Sequence, residues 1–391
     1  MKRLCVVVSL FLFVTLGYAQ QYIADYSVAK EEVLRGIPEN VINQARNDFK
    51  IVYWHTSHGT QVYRGLNGLP DYKTGDDVLF GITNDNPTQN KLEFHDVYGK
   101  DLSVQETTFD DTTRTYLDDP ANADINVVMW SWCDIAGHDP ADNYLPLMQD
   151  LINEYGEGGS KIGTGEGQRE KAVKFIFMTG HSVLDDPGDN TEYKRQADLI
   201  VDYCNQNNYM CLDYFSIDTH DMNDGYWEDA SDDAVSSLYR DAGGTTNNFY
   251  KDFQNLNSIG NGYYENKDAP GGNVIFGAHN SQHITANRKA YAMWWILARL
   301  TGWSGVSTAI SPELEKKTEI IYNQRLNQLE INKNSLVSGS VCRIYNLIGS
   351  LVMEQKVDNT SISLTGLHRG MYIVLVSRPG EEEETKKILI R

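Results

Sequence analysis

The chain has 391 residues, of which 54 are acidic and 34 basic, so its formal net charge is -20. This balance argues against a nucleic-acid partner, because phosphate binding requires clustered Lys and Arg side chains. The length allows one large core with an appended module. Beyond Cys5 the chain has four cysteines, too few for a disulfide-framed fold, and whether Cys204 pairs with Cys211 stays open.

The N-terminus has the features of a secretory signal. Met1-Lys-Arg precedes an apolar run from Leu4 to Leu16 and the small-residue end Gly17-Tyr-Ala19. This pattern predicts a signal peptide at residues 1–19. No later apolar run is long enough to span a bilayer, so we expect no membrane-spanning segment.

Apolar strands alternate with helical patterns along the body of the chain. We predict strands at 51–54, 91–97, 126–134, 173–181 and 211–217, and helices at 38–48, 144–155, 192–204 and 286–300. This alternation predicts an α/β fold with a doubly wound parallel sheet and helices on both faces. Ligands of such sheets bind beyond the carboxyl ends of the strands, where several of these segments end in polar residues.

The remaining segments predict the domain organisation. Residues 219–272 are rich in Asp, Asn, Gly, Ser and Tyr, which predicts a long irregular insertion over the edge of the sheet. Ser, Thr and Pro312 mark a linker at 307–318. From 319 to 391 short alternating strands predict a small β-sandwich.

The polar tip after the first strand reads His55-Thr-Ser-His-Gly59, and Ser57 is a candidate nucleophile there. In the simpler alternative these side chains only cap the helix that follows. His55, His58 and His181 each have a similar alternative as hydrogen-bonded strand-end histidines. Together they indicate a polar crevice, because the whole chain has only nine histidines.

Three segments of the tail carry a resemblance to a known domain. They are Arg343–Val352, Ile362–Val374 and the terminal Lys386–Arg391. They resemble the C-terminal sorting domain of the type IX secretion system of Bacteroidetes. The resemblance implies export across both membranes, with the type IX secretion machinery as partner, and a secreted or cell-surface location.

Five elements of the body carry a second resemblance. They are His55–Gly59, Trp130–Cys133, Thr179–His181, Ala278-His279 and Lys289–Trp303. They resemble the SGNH (GDSL-like) hydrolase superfamily, more particularly an uncharacterised secreted branch. This implies a flavodoxin-like three-layer domain over residues 20–306.

The resemblance implies a serine nucleophile, Ser57, whose own N–H is one oxyanion donor, with Gly99 as a candidate second donor. A histidine in a later loop acts as base, and both His279 and His283 are candidates; we favour His279. The orienting Asp expected three residues before the base is missing at both. Candidates for that carboxylate are the predicted strand-end residues Asp134 and Asp218.

The middle element departs from the superfamily pattern, because Cys133 stands where an oxyanion asparagine is expected and a thiol is a weak donor. Ser131 or His181 could fill that role instead, and Cys133 is a less favoured nucleophile. Trp130 and Trp132 alternate with Ser131, so at least one should face the core while the other could stack on a sugar ring. The candidate substrate and oxyanion contacts are His55, His58, Gly99, Trp130, Ser131, Trp132, Gly180 and His181.

These features predict a secreted serine esterase of SGNH type that removes acyl groups, such as acetyl, from a carbohydrate or polysaccharide. We expect no cofactor and no metal. The alternative is a non-catalytic glycan-binding or surface protein on a degenerate SGNH-like fold. A hydrolase that acts at glycosidic or sulfate bonds through paired carboxylates is a third possibility.

Overall fold

The computed structural model describes two compact units, Met1–Ala309 and Ile310–Arg391. The predicted signal peptide, the predicted linker and His279 lie outside the described residues. Those residues are 22–84, 90–183, 191–228, 230–231, 238–240, 246–266, 282–305, 320–323, 328–331, 340–346, 350–357, 361–368, 370–377 and 384–390.

Seven parallel strands form the sheet of the first unit, which confirms the predicted α/β class. They are β1 (Ile23–Ala24), β2 (Lys50–His55), β3 (Ile82–Thr83), β4 (Leu92–Tyr98), β5 (Val127–Trp130), β6 (Lys174–Met178) and β7 (Cys211–Leu212). Their order is β1-β7-β6-β5-β2-β4-β3, and every pairing is parallel. The inner strands are buried on both faces, as their apolar sequences require.

Helices pack on both faces of this sheet. They are α1 (Glu31–Arg35), α2 (Glu39–Asp48), α3 (Thr60–Gly68), α4 (Asp76–Leu79), α5 (Leu102–Gln105), α6 (Phe109–Asp118), α7 (Tyr144–Tyr155), α8 (Thr191–Asn207), α9 (Tyr214–Thr219), α10 (Phe249–Leu256) and α11 (His283–Leu300). One core contains residues of α2, α3 and α11, and a second contains residues of α6, α7 and α8. Alternate side chains of β2 enter the two cores, Ile51 and Tyr53 the first, Val52 and Trp54 the second.

The strand order creates a crevice at β2. After β2 the chain places β3 and β4 on one side of it, and then adds β5, β6 and β7 in turn on the other side. In open α/β sheets, ligands bind beyond the carboxyl ends of the strands where the order reverses in this way. Ser57 follows β2 directly, so it lies at this position.

The prediction of a strand at 211–217 is wrong in its C-terminal part, where the structure has the helix α9. β7 ends at Leu212, and Asp213 accepts a hydrogen bond from the Ser216 amide at 3.2 Å as the N-cap of α9. The alternating apolar residues that suggested a strand are buried in α9 instead. Asp218 therefore lies within a helix, and Asp213 occupies the strand end.

The final helix of the body is buried along nearly its whole length, as predicted. α11 begins at His283, earlier than the predicted start, and its residues from His283 to Arg299 are buried. No helix in the described parts of the chain is long and apolar enough to cross a membrane.

The predicted irregular insertion contains regular structure, so that expectation is wrong in part. Two short sheets occur there, and the Asn248 side chain caps α10 by accepting from the Lys251 amide at 2.9 Å. The strands are β8 (Leu238–Arg240), β9 (Thr246–Asn248), β10 (Ser258–Ile259) and β11 (Gly262–Tyr263).

The second unit contains two small antiparallel sheets, as the tail pattern predicts. Its strands are β12 (Ile320–Asn323), β13 (Gln328–Ile331), β14 (Val341–Asn346), β15 (Leu351–Lys356), β16 (Ser361–Ser363), β17 (Gly370–Ser377) and β18 (Glu384–Ile390). The sheets have the orders β12-β13-β16 and β15-β14-β17-β18. Apolar side chains of both sheets share one core.

Candidate active site

The turn after β2 holds Ser57 in a strained backbone conformation. Ser57 has a φ of 25°, which is unusual for a residue other than glycine. It begins the short 3₁₀ turn Ser57–Gly59, which leads into α3. Backbone strain of this kind costs about 1–3 kcal/mol and clusters at functional sites. The partly exposed Ser57 side chain is therefore a stronger candidate than an ordinary helix cap.

Hydrogen bonds from two buried tyrosines hold this turn in place. The hydroxyl of Tyr53 donates to the Gly59 carbonyl at 3.0 Å, and the hydroxyl of Tyr214 donates to the His58 carbonyl at 2.9 Å. A Cβ at Gly59 would lie 2.4 Å from Ser131 Oγ and 2.6 Å from His55 Cβ. The Ser131 side chain is thus packed under the turn and fully buried, not open to a substrate.

Cys133 lies beside the turn that contains Ser57. Its Sγ lies 3.7 Å from Nδ1 of His58, the residue that follows Ser57. Burial raises the pKa of the Cys133 thiol. The side chain beside this turn is therefore a neutral thiol near pH 7, in place of the expected amide. Cys204 and Cys211 are also free thiols, both buried.

His58 and His181 form a stacked pair beside this thiol. Their rings are nearly parallel, with centroids 3.5 Å apart, and both side chains are buried. His181 Nδ1 lies 2.9 Å from the Ser182 carbonyl, so this nitrogen donates and the proton sits there. A Cβ at Gly180 would lie 2.7 Å from Ile135, so this glycine permits close packing against that side chain.

His55 is a strand-end histidine with a partner at both ring nitrogens. Its Nε2 is hydrogen-bonded to Asp96, and its Nδ1 lies 3.3 Å from the Thr60 hydroxyl. Only 1% of His55 is exposed. The Gly99 amide donates to the His55 carbonyl at 2.9 Å, so its single proton is already used. Gly99 therefore does not suit the role of second oxyanion donor.

Asp101 is a buried carboxylate next to the turn that the sequence reasoning missed. The hydroxyls of Thr56 and Ser103 both donate to it. Burial raises the pKa of Asp101. The sequence did contain a signal for Asp101, because this residue closely follows a predicted strand. Of the residues after that strand, only Gly99 was named as a candidate.

The two carboxylates proposed to orient the base have other partners. Asp134 is exposed and accepts from the Ala136 amide at 2.9 Å and from the Tyr193 hydroxyl at 3.1 Å. Asp218 is fully buried, with Oδ1 2.5 Å from Lys289 Nζ and Oδ2 3.4 Å from the Ser182 amide. Asp218 thus neutralises a buried ammonium group.

Lys289 connects α11 to the turn. Its Nζ lies 2.6 Å from Gln61 Oε1 in the first turn of α3 and 3.8 Å from the centroid of the Tyr214 ring. Neither Lys289 nor Asp218 has any exposed side-chain surface. The ion pair therefore joins α3, α9 and α11 beneath the site.

Of the two candidate bases, the described residues include His283. His283 Nδ1 lies 3.3 Å from the Asn266 amide, and Asn266 packs on Gly68 at the C-terminal end of α3. Ser57 precedes the N-terminal end of α3. At 1.5 Å per residue, this end lies about 13 Å from the C-terminal end of the helix. The structure does not bring His283 and Ser57 together. His279 lies outside the described residues.

Both tryptophans of the middle element are core residues. Trp130 is fully buried, donates from Nε1 to the Thr113 hydroxyl at 3.0 Å and stacks on Trp54. Trp132 is also fully buried and meets Tyr144 edge-on at 5.5 Å. The expectation that one of them could stack on a sugar ring is therefore wrong.

Fold and site together define a two-part protein, an α/β unit with a polar crevice at β2 and a tail of antiparallel sheets. Residues 323–391 match the family model of the secretion system C-terminal sorting domain. This confirms the tail prediction, and the protein is exported through the type IX secretion system to the cell surface or the extracellular space. Comparison with curated proteins gave no match.

Gly59→Ala should destabilise the fold by about 1–3 kcal/mol, because the new methyl group would overlap His55 and the buried Ser131 side chain. The measurement is urea unfolding of the exported chain. Gly36→Ala is the matched control, since its methyl group would meet only carbonyl oxygens at 3.4 Å. Equal stability of the two variants would contradict this account of the turn.

Lys289→Met should destabilise the fold by about 3–5 kcal/mol, because it leaves the Asp218 carboxylate buried without its ammonium partner. Adding Asp218→Asn should recover part of this loss in the same unfolding assay. Lys161→Met, which breaks an exposed pair with Asp118, should cost less than about 1 kcal/mol. A small effect of Lys289→Met would show that the ion pair is dispensable.

Proposed function

We propose that this exported protein is a serine ester hydrolase of the SGNH type, with Ser57 as nucleophile. The observation that carries the proposal is the strained φ of Ser57 in the turn after β2, where the strand order reverses. A nucleophile on a sharp strand-to-helix turn presents its oxygen at the top of the sheet. A serine that only capped α3 would not require this strain.

The proposed reaction is acyl transfer through a covalent intermediate. Ser57 Oγ attacks the ester carbonyl while a histidine takes its proton, and the tetrahedral oxyanion then collapses with loss of the alcohol, which receives that proton. Water attacks the acyl-serine in the same manner, releases the acid and regenerates Ser57. The Ser57 amide and the N-terminal end of α3 supply positive partial charge at the oxyanion.

His279 is the base in this proposal, as the resemblance implies. His283, the other candidate base, accepts from the Asn266 amide, and His55 is hydrogen-bonded to Asp96. His58 and His181 form the stacked pair beside Cys133.

The proposed substrate is an acylated carbohydrate, such as an acetylated polysaccharide. Export supports this class, because an exported hydrolase meets extracellular polymers. The acidic body disfavours polyanionic substrates, since it repels them.

Ser57→Ala should lower the hydrolysis of p-nitrophenyl acetate by about 10³-fold or more, because the attacking oxygen is lost. Ser160→Ala is the matched control, since Ser160 is exposed in a loop, and it should keep wild-type activity. Wild-type protein without Ser57-dependent turnover would favour a non-catalytic glycan-binding protein.

His279→Ala should lose ester hydrolysis to a similar extent, whereas His283→Ala should keep kcat within a few-fold of the wild type. The reason is that His283 lies beside Gly68, at the far end of α3 from Ser57. Both variants are assayed with p-nitrophenyl acetate after circular dichroism has shown that they fold. The opposite pattern would remove His279 from the mechanism.

A further inference from the structure

Tyr98 exposes its aromatic side chain at the same edge of the sheet as Ser57. It is the last residue of β4 and lies opposite His55 in the register of β2 and β4. Tyr98 is 65% exposed, whereas the tryptophans nearest the ends of β2 and β5, Trp54 and Trp130, are buried. An exposed ring is thus available at this edge.

The Tyr98 ring contacts the buried His55 ring. The Tyr98 ring meets the His55 ring at 73° with centroids 5.6 Å apart. His55 is itself held by Asp96 and Thr60, and the backbone after Tyr98 is tied to the His55 carbonyl. This contact restricts the ring, which lowers the conformational entropy lost when a ligand stacks on it.

Tyr98 lies close enough to Ser57 to contact the same substrate molecule. Neighbouring strands are about 4.8 Å apart and each strand residue advances about 3.3 Å, so the two backbones are within about 10 Å. The contact between the Thr56 hydroxyl and Asp101 also joins the connection after β4 to the turn after β2. A short saccharide can bridge this span.

The surroundings of Tyr98 suit a neutral, flat ligand. The signal peptide and the stretch from Glu319 onward hold eleven basic and eight acidic residues, so the body between them has 46 acidic and 23 basic residues. Such a surface repels polyanions. The same connection exposes Val104 by 83%, and an open surface suits a sugar ring better than an alkyl chain, which needs an enclosed pocket.

We propose that Tyr98 is a substrate-binding subsite that stacks on a neutral sugar ring of the acylated substrate. This inference rests on the proposed function, because it takes Ser57 as the reacting group. Tyr98 acts by binding the sugar and has no part in acyl transfer, so small esters that do not reach it are hydrolysed without its help.

The test compares Tyr98→Ala and Tyr98→Trp with wild-type protein. For acetylated xylo-oligosaccharides, Tyr98→Ala should raise KM about tenfold with little change in kcat, and Tyr98→Trp should restore KM. For p-nitrophenyl acetate, kcat/KM should stay within twofold of the wild type. Tyr226→Ala, which removes another exposed tyrosine, is the control and should leave kcat and KM unchanged for both substrates.

Binding is measured separately in a Ser57→Ala background by calorimetry with xylohexaose, cellohexaose and an oligogalacturonate. We expect at least one neutral oligosaccharide to bind, and the Tyr98→Ala change to weaken it about tenfold. The inference is overturned if no neutral oligosaccharide binds, if only the anionic one binds, or if Tyr98→Ala leaves affinity and KM unchanged. A parallel loss with both ester substrates also overturns it, because Tyr98 would then support the turn.

The two proposals fail in different ways. If no ester is hydrolysed in a Ser57-dependent manner but a neutral oligosaccharide still binds through Tyr98, the esterase proposal fails and the sugar subsite stands. If Ser57-dependent hydrolysis is present and Tyr98→Ala has no effect on either oligosaccharide measurement, the subsite fails and the esterase stands.

Discussion

The buried ion pair between Lys289 and Asp218 is the interaction on which the site depends. It joins α11 to α9, and the ammonium group also contacts the Gln61 amide oxygen and the Tyr214 ring. Removing two charges from water is costly, and their attraction compensates only when such further contacts are present. The pair therefore confines α11, α9 and the start of α3 to one arrangement.

Close helix packing makes this arrangement possible. A Cβ at Gly65 would lie 2.1 Å from the Ala286 carbonyl oxygen, so only glycine lets α3 and α11 approach so closely. This contact brings Lys289 within reach of Gln61. The strain at Ser57 is then supported from the same elements, because the Tyr214 hydroxyl that holds the His58 carbonyl belongs to α9. Strain persists where the surrounding structure over-determines it.

Local patterns predicted the scaffold because they depend on residues that are near one another in the sequence. The strand 126–134 and the helix 144–155 were predicted from apolar runs and helical spacing, and the structure has β5 and α7 there. The polar ends of β2, β5 and β6 were predicted from the same runs. Parallel strands bring such ends together at one edge, so Ser57, Cys133 and the stacked His58 and His181 became neighbours.

The partners of individual side chains were not predictable in this way. Asp218 looked like a strand-end acid, but its neighbour Lys289 is 71 positions away in the sequence and determines its role. Trp130 was predicted as a possible contact for a sugar, but in the structure its indole nitrogen donates to Thr113 of α6. Burial decides such roles, and burial is set by elements that the local pattern does not contain.

The donors around Ser57 constrain how the proposed hydrolase would stabilise an oxyanion. Cys133 offers a weak thiol donor where an amide is expected, the Gly99 amide is bonded to His55, and the Ser131 hydroxyl is packed under Gly59. The Ser57 amide and the first turn of α3 are then the groups that can stabilise the negative charge of the oxyanion. Their orientation is set by the backbone of the turn, so the strain at Ser57 and the oxyanion site are one structural feature in this mechanism.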